Sequence, residues 1–144
     1  MSAQEYSLPS GVYTLENVST GSVLDSYWGK PDEGNPVNGY QPHGGPNQQW
    51  KLEWTGSGSK FTLRNVKTNN YLSYGRAQNS DRIVTSKSPK HWFIMVADKG
   101  YAVAAAENPL YVLDLTESNP ANETPCILYN NNATDNQKWR FHKV

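Results

Sequence analysis

Apolar and polar residues alternate along this chain in short bursts. Val12-Tyr13-Thr14-Leu15, Phe61-Thr62-Leu63 and Tyr111-Val112-Leu113 are rich in β-branched and aromatic residues, which suits half-buried strands. Clusters of Gly, Pro, Asn, Asp and Ser separate such bursts, at 29–39, 56–59, 79–81 and 117–122, and these are turn chemistry. Helical periodicity is weak. Ala102 to Glu107 is the one helix-friendly run, and it is too short to hold a helix unaided. The pattern predicts an all-β chain of short strands.

The same pattern recurs. Val23-Leu24-Asp25, Pro36, Tyr40 and Asn47-Gln48-Gln49-Trp50 match Val112-Leu113-Asp114, Pro125, Tyr129 and Asn136-Gln137-Lys138-Trp139 without a gap, at an offset of 89 residues. Pro31 pairs with Pro120, and Gly11 with Gly100, at the same offset. A third copy lies between them. Tyr13-Thr14-Leu15-Glu16-Asn17-Val18 matches Phe61-Thr62-Leu63-Arg64-Asn65-Val66 at an offset of 48, and Trp50 matches Trp92 once a gap is allowed. The copies run roughly 11–56, 57–97 and 98–144, within a single domain covering 1–144. Three copies with about four strands each suit closure, which removes exposed sheet edges. A propeller needs about four blades or more. The expected fold is a β-trefoil of three pseudo-symmetric four-stranded repeats, about 12 strands in all.

Composition narrows the function. The formal net charge is zero, so a charge-driven nucleic-acid partner, which needs a basic face, is not expected. Five Trp, nine Tyr and three Phe are too many for a disordered chain. No run approaches the ~20 apolar residues of a membrane span. Cys126 is the single cysteine, which excludes an internal disulfide, and Met1 to Ser10 is polar, without the apolar stretch of a secretory signal. A cytoplasmic location is the expectation. His43, His91 and His142 show no metal-ligand spacing, so neither a metal nor another cofactor is expected.

Asn47-Gln48-Gln49-Trp50 and Asn136-Gln137-Lys138-Trp139 resemble the Q-x-W signature of ricin-B-type lectins. His43 to Trp50 resembles the version found in mushroom lectins of that family. The resemblance covers essentially the whole chain, although the middle copy keeps only the Trp. It implies a β-trefoil without enzymatic activity that binds galactose or N-acetylgalactosamine, often within lactose or N-acetyllactosamine. It further implies that the Asp after the first hydrophobic strand and the Asn beside the signature Gln bind sugar hydroxyls, with an aromatic ring stacked between them. Defence of fungal tissue against grazing animals, or storage, is the role it implies.

The residue chemistry agrees with that implication. A carboxylate accepts from two neighbouring hydroxyls through charge-assisted bonds, an amide both donates and accepts, and a ring face meets C–H groups. Galactose, with an axial 4-hydroxyl, leaves one ring face more continuously apolar. The expected primary site is Asp25, Trp28, Asn38, Tyr40, His43, Asn47 and Gln48. Tyr40 is the first choice for stacking and Trp28 its rival. A second, weaker site is expected at Asp114, Tyr129, Asn136 and Gln137, where Ile127 replaces Asn38. The middle copy carries Ser73 and Pro89-Lys90-His91-Trp92 at the matched positions and is expected to be silent. Structural roles compete with these. An Asp after a strand is commonly a turn residue, Gln48 and Gln137 can brace backbone behind the site, and the tyrosines can be packing rings. A monosaccharide should bind with a Kd on the order of millimolar, about −4 kcal/mol. Useful avidity then needs two repeats or a homodimer. The main alternative is a β-trefoil protease inhibitor using the 29–39 and 117–122 loops, and a structural or actin-associated trefoil is a third reading. Neither explains why Asp, Tyr and Asn recur at equal spacing.

Overall fold

The computed structural model describes residues 8–144; Met1 to Ser7, most of the polar Met1–Ser10 stretch, lie outside the described residues. Among the described residues, twelve strands form in three successive sets of four. The first set is β1 (Gly11–Asn17), β2 (Val23–Ser26), β3 (Asn35–Tyr40) and β4 (Trp50–Trp54). The second is β5 (Phe61–Asn65), β6 (Tyr71–Ser73), β7 (Val84–Ser86) and β8 (Trp92–Val96). The third is β9 (Tyr101–Ala105), β10 (Tyr111–Leu115), β11 (Thr124–Asn130) and β12 (Trp139–Lys143).

The first and last strands of each set make a barrel. β1 pairs with β4, β4 with β5, β5 with β8, β8 with β9, β9 with β12, and β12 returns to β1, all antiparallel. The middle strands make three hairpins, β2–β3, β6–β7 and β10–β11. The hairpins cap one end of the barrel: β3 touches both β7 and β11, and Arg82 bridges to Ile127. This is the expected β-trefoil.

A main core fills the barrel. Leu15, Leu24, Leu52, Leu63, Leu72 and Leu113 are fully buried together with Trp50, Trp92 and Trp139. Each of these indoles donates its Nε1–H, at 3.1 Å, to the carbonyl of the leucine ending its own repeat's hydrophobic pair: Leu24, Leu72 and Leu113 respectively. A buried N–H without a partner costs about 1–3 kcal/mol. The tryptophan therefore persists in the middle copy, where the neighbouring Gln is gone.

The structure corrects one repeat match. Tyr13 faces Trp50, Phe61 faces Trp92, and Tyr101 faces Trp139. Tyr13 and Tyr101 are thus equivalent at an offset of 88, and Gly100 stands at Val12's place rather than Gly11's. The third copy carries one extra residue between its first two strands, which restores the offset of 89 from Val112 onward. The helix-friendly Ala102–Glu107 run is mostly strand β9. Its alternate residues Val103 and Ala105 enter the main core, while Ala102 and Ala104 pack with Val112, Phe93 and Met95 on the other face. Small side chains suit a strand flanked on both faces, and tertiary packing overrides helix propensity here.

Candidate functional site

The site grows from the β2–β3 hairpin. Asp25 and Asn38 face each other across it. After β2 the chain makes a tight turn at Tyr27–Gly29, held by Asn35, whose Nδ2 donates to the Tyr27 carbonyl at 3.0 Å and the Ser26 hydroxyl at 3.2 Å. Trp28 sits in this turn at φ +53°. A left-handed backbone costs a non-glycine residue roughly 1–2 kcal/mol. The turn leaves the indole 70% exposed.

The Asn-Gln-x-Trp segment approaches from the other side through a single helical turn, Pro46–Gln48. Asn47 Nδ2 donates to Asp25 Oδ1 at 3.3 Å and to the Ser26 carbonyl at 3.1 Å. Gln48 Nε2 donates to Asp25 Oδ2 at 2.9 Å and to the Gln41 carbonyl at 3.0 Å. The Gln48 Oε1 accepts from the His43 backbone N–H at 3.0 Å. Both carboxylate oxygens are therefore gripped by amides, and Asp25 is only 3% exposed. Burial pushes its carboxyl above the usual range; the Gln48 hydrogen bond, then His43, then Asn47 pull it back, and Glu123 pushes it up again. His43 Nε2 stands 3.8 Å from Asp25 Oδ2 and its ring meets Tyr40 edge-on at 5.9 Å.

Asp25, Tyr27, Trp28, Tyr40, His43, Asn47 and Glu123 line one open hollow of about 190 Å³. Five of the seven expected residues meet there. Gln48 stands behind Asp25, fully buried, and braces it. Asn38 does not line the hollow: it is buried, and its Oδ1 accepts from the Arg82 guanidinium at 3.1 Å, tying the first hairpin to the second repeat. Two wall residues escaped the sequence reading. Tyr27 is next to Trp28, and its aromatic type was signal enough. Glu123 belongs to the third repeat and reaches the hollow because β11 lies beside β3, with Thr124 opposite Gly39 and the Glu123 N–H donating to the Gly39 carbonyl at 2.9 Å.

The third repeat rebuilds the same clamp. Asn136 Nδ2 donates to Asp114 Oδ1 at 3.2 Å, and Gln137 Nε2 to Asp114 Oδ2 at 2.9 Å. Burial again pushes the acid up, opposed by Gln137 and Asn136. Its surroundings differ. At the offset of 89, Thr116 stands for Tyr27, Glu117 for Trp28 and Asn132 for His43. Tyr129 remains, 38% exposed. In the middle repeat the clamp is replaced. Lys90 Nζ bonds Glu107 at 3.0 Å and lies 4.4 Å above the Tyr74 ring, with Ser73 where the acid would be.

The ricin-type β-trefoil lectin domain-like family model matches residues 2–86 and 57–129. The chain belongs to the ricin-type β-trefoil lectins. Among solved structures of this fold, the agglutinin of the fungus Rhizoctonia solani is 55% identical, with a TM-score of 0.94 over 95% of this chain and 97% of that one. The ricin B-like lectin of the fungus Macrolepiota procera, solved in complex with lactose, is 28% identical, with a TM-score of 0.84 over 92% of this chain and 95% of that one. A designed threefold-symmetric protein, ThreeFoil, shares the fold at 23% identity and a TM-score of 0.88, over 93% of this chain and 99% of that one. No curated protein matches the chain in sequence. Ricin-type lectins are carbohydrate-binding proteins. No group of His, Cys, Asp and Glu among the described residues is arranged to hold a metal ion, and no described helix is long and apolar enough to cross a membrane.

Proposed function

We propose that this lectin binds terminal galactose or N-acetylgalactosamine, in lactose- or N-acetyllactosamine-type glycans, through the first-repeat hollow, with a weaker site at Asp114 in the third repeat. One observation carries the reading: Asp25 is held by two amides at the floor of a hollow walled by Tyr27, Trp28 and Tyr40. Such a carboxylate is a fixed acceptor for paired hydroxyls, oriented before the sugar arrives. Prior orientation lowers the ordering cost of binding. The rings supply faces for the sugar's C–H groups, and Trp28, on the rim, is placed to meet the next sugar unit. The lactose bound by the Macrolepiota procera lectin supports the sugar class.

Each hydrogen bond contributes about 0.5–1.5 kcal/mol net, or about 1.5–3 where a charge assists. A millimolar monosaccharide Kd is the outcome. The third repeat keeps the clamp but offers Glu117 in place of an indole, so it loses the outer ring contact. In this reading the hollow holds its ligand without turning it over. Unchanged lactose after long incubation is the expected result. The same reading carries a cytoplasmic location and a defensive role against animals that graze on fungal tissue.

The test is retention on galactose-agarose with lactose elution. Asp25→Ala should abolish most retention while the fold survives, since Gln48 keeps the Gln41 carbonyl and Asn47 keeps the Ser26 carbonyl. Asp114→Ala should weaken retention less. Wild-type protein passing through the column unretained, or Asp25→Ala binding as well as wild type, overturns the assignment.

A further inference from the structure

The first-repeat hollow holds a second carboxylate, lent by the third repeat, that the matching positions of the first and second repeats lack. Glu123 stands at φ +68°. Its equivalents are Gly34 at φ +80° and Ser80 at φ +65°; the three N–H groups make matching bonds to Gly39, Thr85 and Leu128. The position calls for a left-handed backbone, which glycine adopts freely and glutamate does not. A glutamate here places an acid against a neighbouring repeat's site. The corresponding neighbour of the third-repeat site is Ser80, which is uncharged.

The charge balance of the wall follows. Asp25 and Glu123 are acidic, His43 is the one basic side chain, and no lysine or arginine lines the hollow. Two cations stand outside it. The Lys30 ammonium lies 5.5 Å above the Tyr27 ring and belongs to a separate depression with Asp32 and Glu33. The Lys67 stem runs beside Gly29. Inside, three aromatic rings stand with two carboxylates. Ring faces attract cations, and paired carboxylates disfavour a second anion while favouring a positive guest.

We propose that this hollow selects cationic hexosamine, a galactose-type unit whose 2-amino group is free and protonated, over its neutral counterparts and against acidic galactosides. The proposal rests on the first-repeat hollow being the sugar site. Asp25 takes the hydroxyls, and Glu123, facing it from the adjoining repeat, meets the ammonium. The third-repeat clamp, with Ser80 in that place, has no such preference.

The experiment is a calorimetric titration of the whole protein at about pH 7, where an amine of the α-amino type is mostly protonated. The probes are galactosamine, N-acetylgalactosamine, galactose and a galactose sulfate. Wild-type protein should bind galactosamine about fivefold to tenfold tighter than galactose at low salt and the sulfate more weakly than either. The preference should shrink at about 0.5 M salt, as screening of an open site requires. In Glu123→Gln, and in Glu123→Gly, which relaxes the backbone, the galactosamine-to-galactose ratio should fall to about one. Thermal denaturation reports on folding in each variant. A wild-type ratio near one, with galactose still bound, overturns this inference and leaves the galactose reading standing; so does a raised ratio that survives both substitutions. A folded wild-type protein that binds none of the four sugars overturns both.

Discussion

Gln48 and Gln137 allow the clamp to be dissected with an internal control. Gln48→Leu keeps the volume of a fully buried side chain but removes three hydrogen bonds: two donated, to Asp25 at 2.9 Å and Gln41 at 3.0 Å, and one accepted from His43 at 3.0 Å. The bond to a charged group is worth about 1.5–3 kcal/mol and the neutral ones about 0.5–1.5 each. The expected loss of stability is roughly 3–5 kcal/mol, read from urea unfolding. Gln137 makes the same three bonds, to Asp114 at 2.9 Å, Asn130 at 3.0 Å and Asn132 at 2.9 Å. Gln137→Leu should therefore destabilise by a similar amount, to within about 1 kcal/mol. The two variants should part company in calorimetric titration with galactose. Gln48→Leu frees one Asp25 oxygen and removes the strongest influence holding its carboxyl down. First-site affinity should drop about tenfold or more at neutral pH, and binding should fail at a higher pH than in wild type as acid is added. Gln137→Leu should leave first-site affinity in place. A Gln48→Leu protein that stays within about 0.5 kcal/mol of wild type and binds galactose normally would refute the claim that this amide organises the acid. Equal loss of binding in both variants would refute the assignment of the main site to the first repeat.

Trp92→Phe removes the buried hydrogen bond to the Leu72 carbonyl and opens space in the core; it should cost about 2–4 kcal/mol in urea unfolding while first-site sugar affinity holds. Glu117→Gly relieves a left-handed backbone at φ +54° and should stabilise by about 0.5–1 kcal/mol after glycine's entropic cost is set against the relief. Lys138 bridges Asp98 at 2.7 Å and Asp135 at 3.0 Å, and its side-chain bonds hold both carboxyls below the usual range. Groups lowered on folding stabilise above their unfolded pKa and lose that contribution as pH falls through the folded value. Wild-type stability should thus decline below about pH 4, and Lys138→Met should flatten that part of the unfolding-versus-pH curve. Asp25 runs the opposite way. Its raised carboxyl favours the folded state at low pH, and that favour disappears as pH rises through the folded value. Galactose binding, which needs the ionised acid, should therefore weaken on acidification before the protein unfolds, as parallel titration and circular dichroism would record.

The fold was legible because its determinants are local and repeated. Val23-Leu24-Asp25 and Val112-Leu113-Asp114 each announce a strand with an acid one residue from its end, and Trp50, Trp92 and Trp139 mark the same step in each copy. The Asp25–Asn47 pairing was legible for the same reason, since the Asp114–Asn136 pair repeats its spacing. What failed was whatever depends on neighbours far apart in the chain. Asn38 carries a polar side chain at a position that alternation turns toward the site, yet Arg82, from another repeat, draws it away. Glu123 resembles any turn acid until β11 is laid beside β3. The register slip at Gly100 was hidden because a single extra residue in a loop leaves every downstream match intact.

The hollow's second acid also bears on how repeated proteins diverge. Three identical copies of the first repeat, closed into a symmetric barrel, would put glycine wherever Glu123 now stands, and every copy of the hollow would lose that charge. Perfect symmetry would multiply the binding places and make each of them plainer, because the acid that one copy here lends its neighbour exists only where the copies differ.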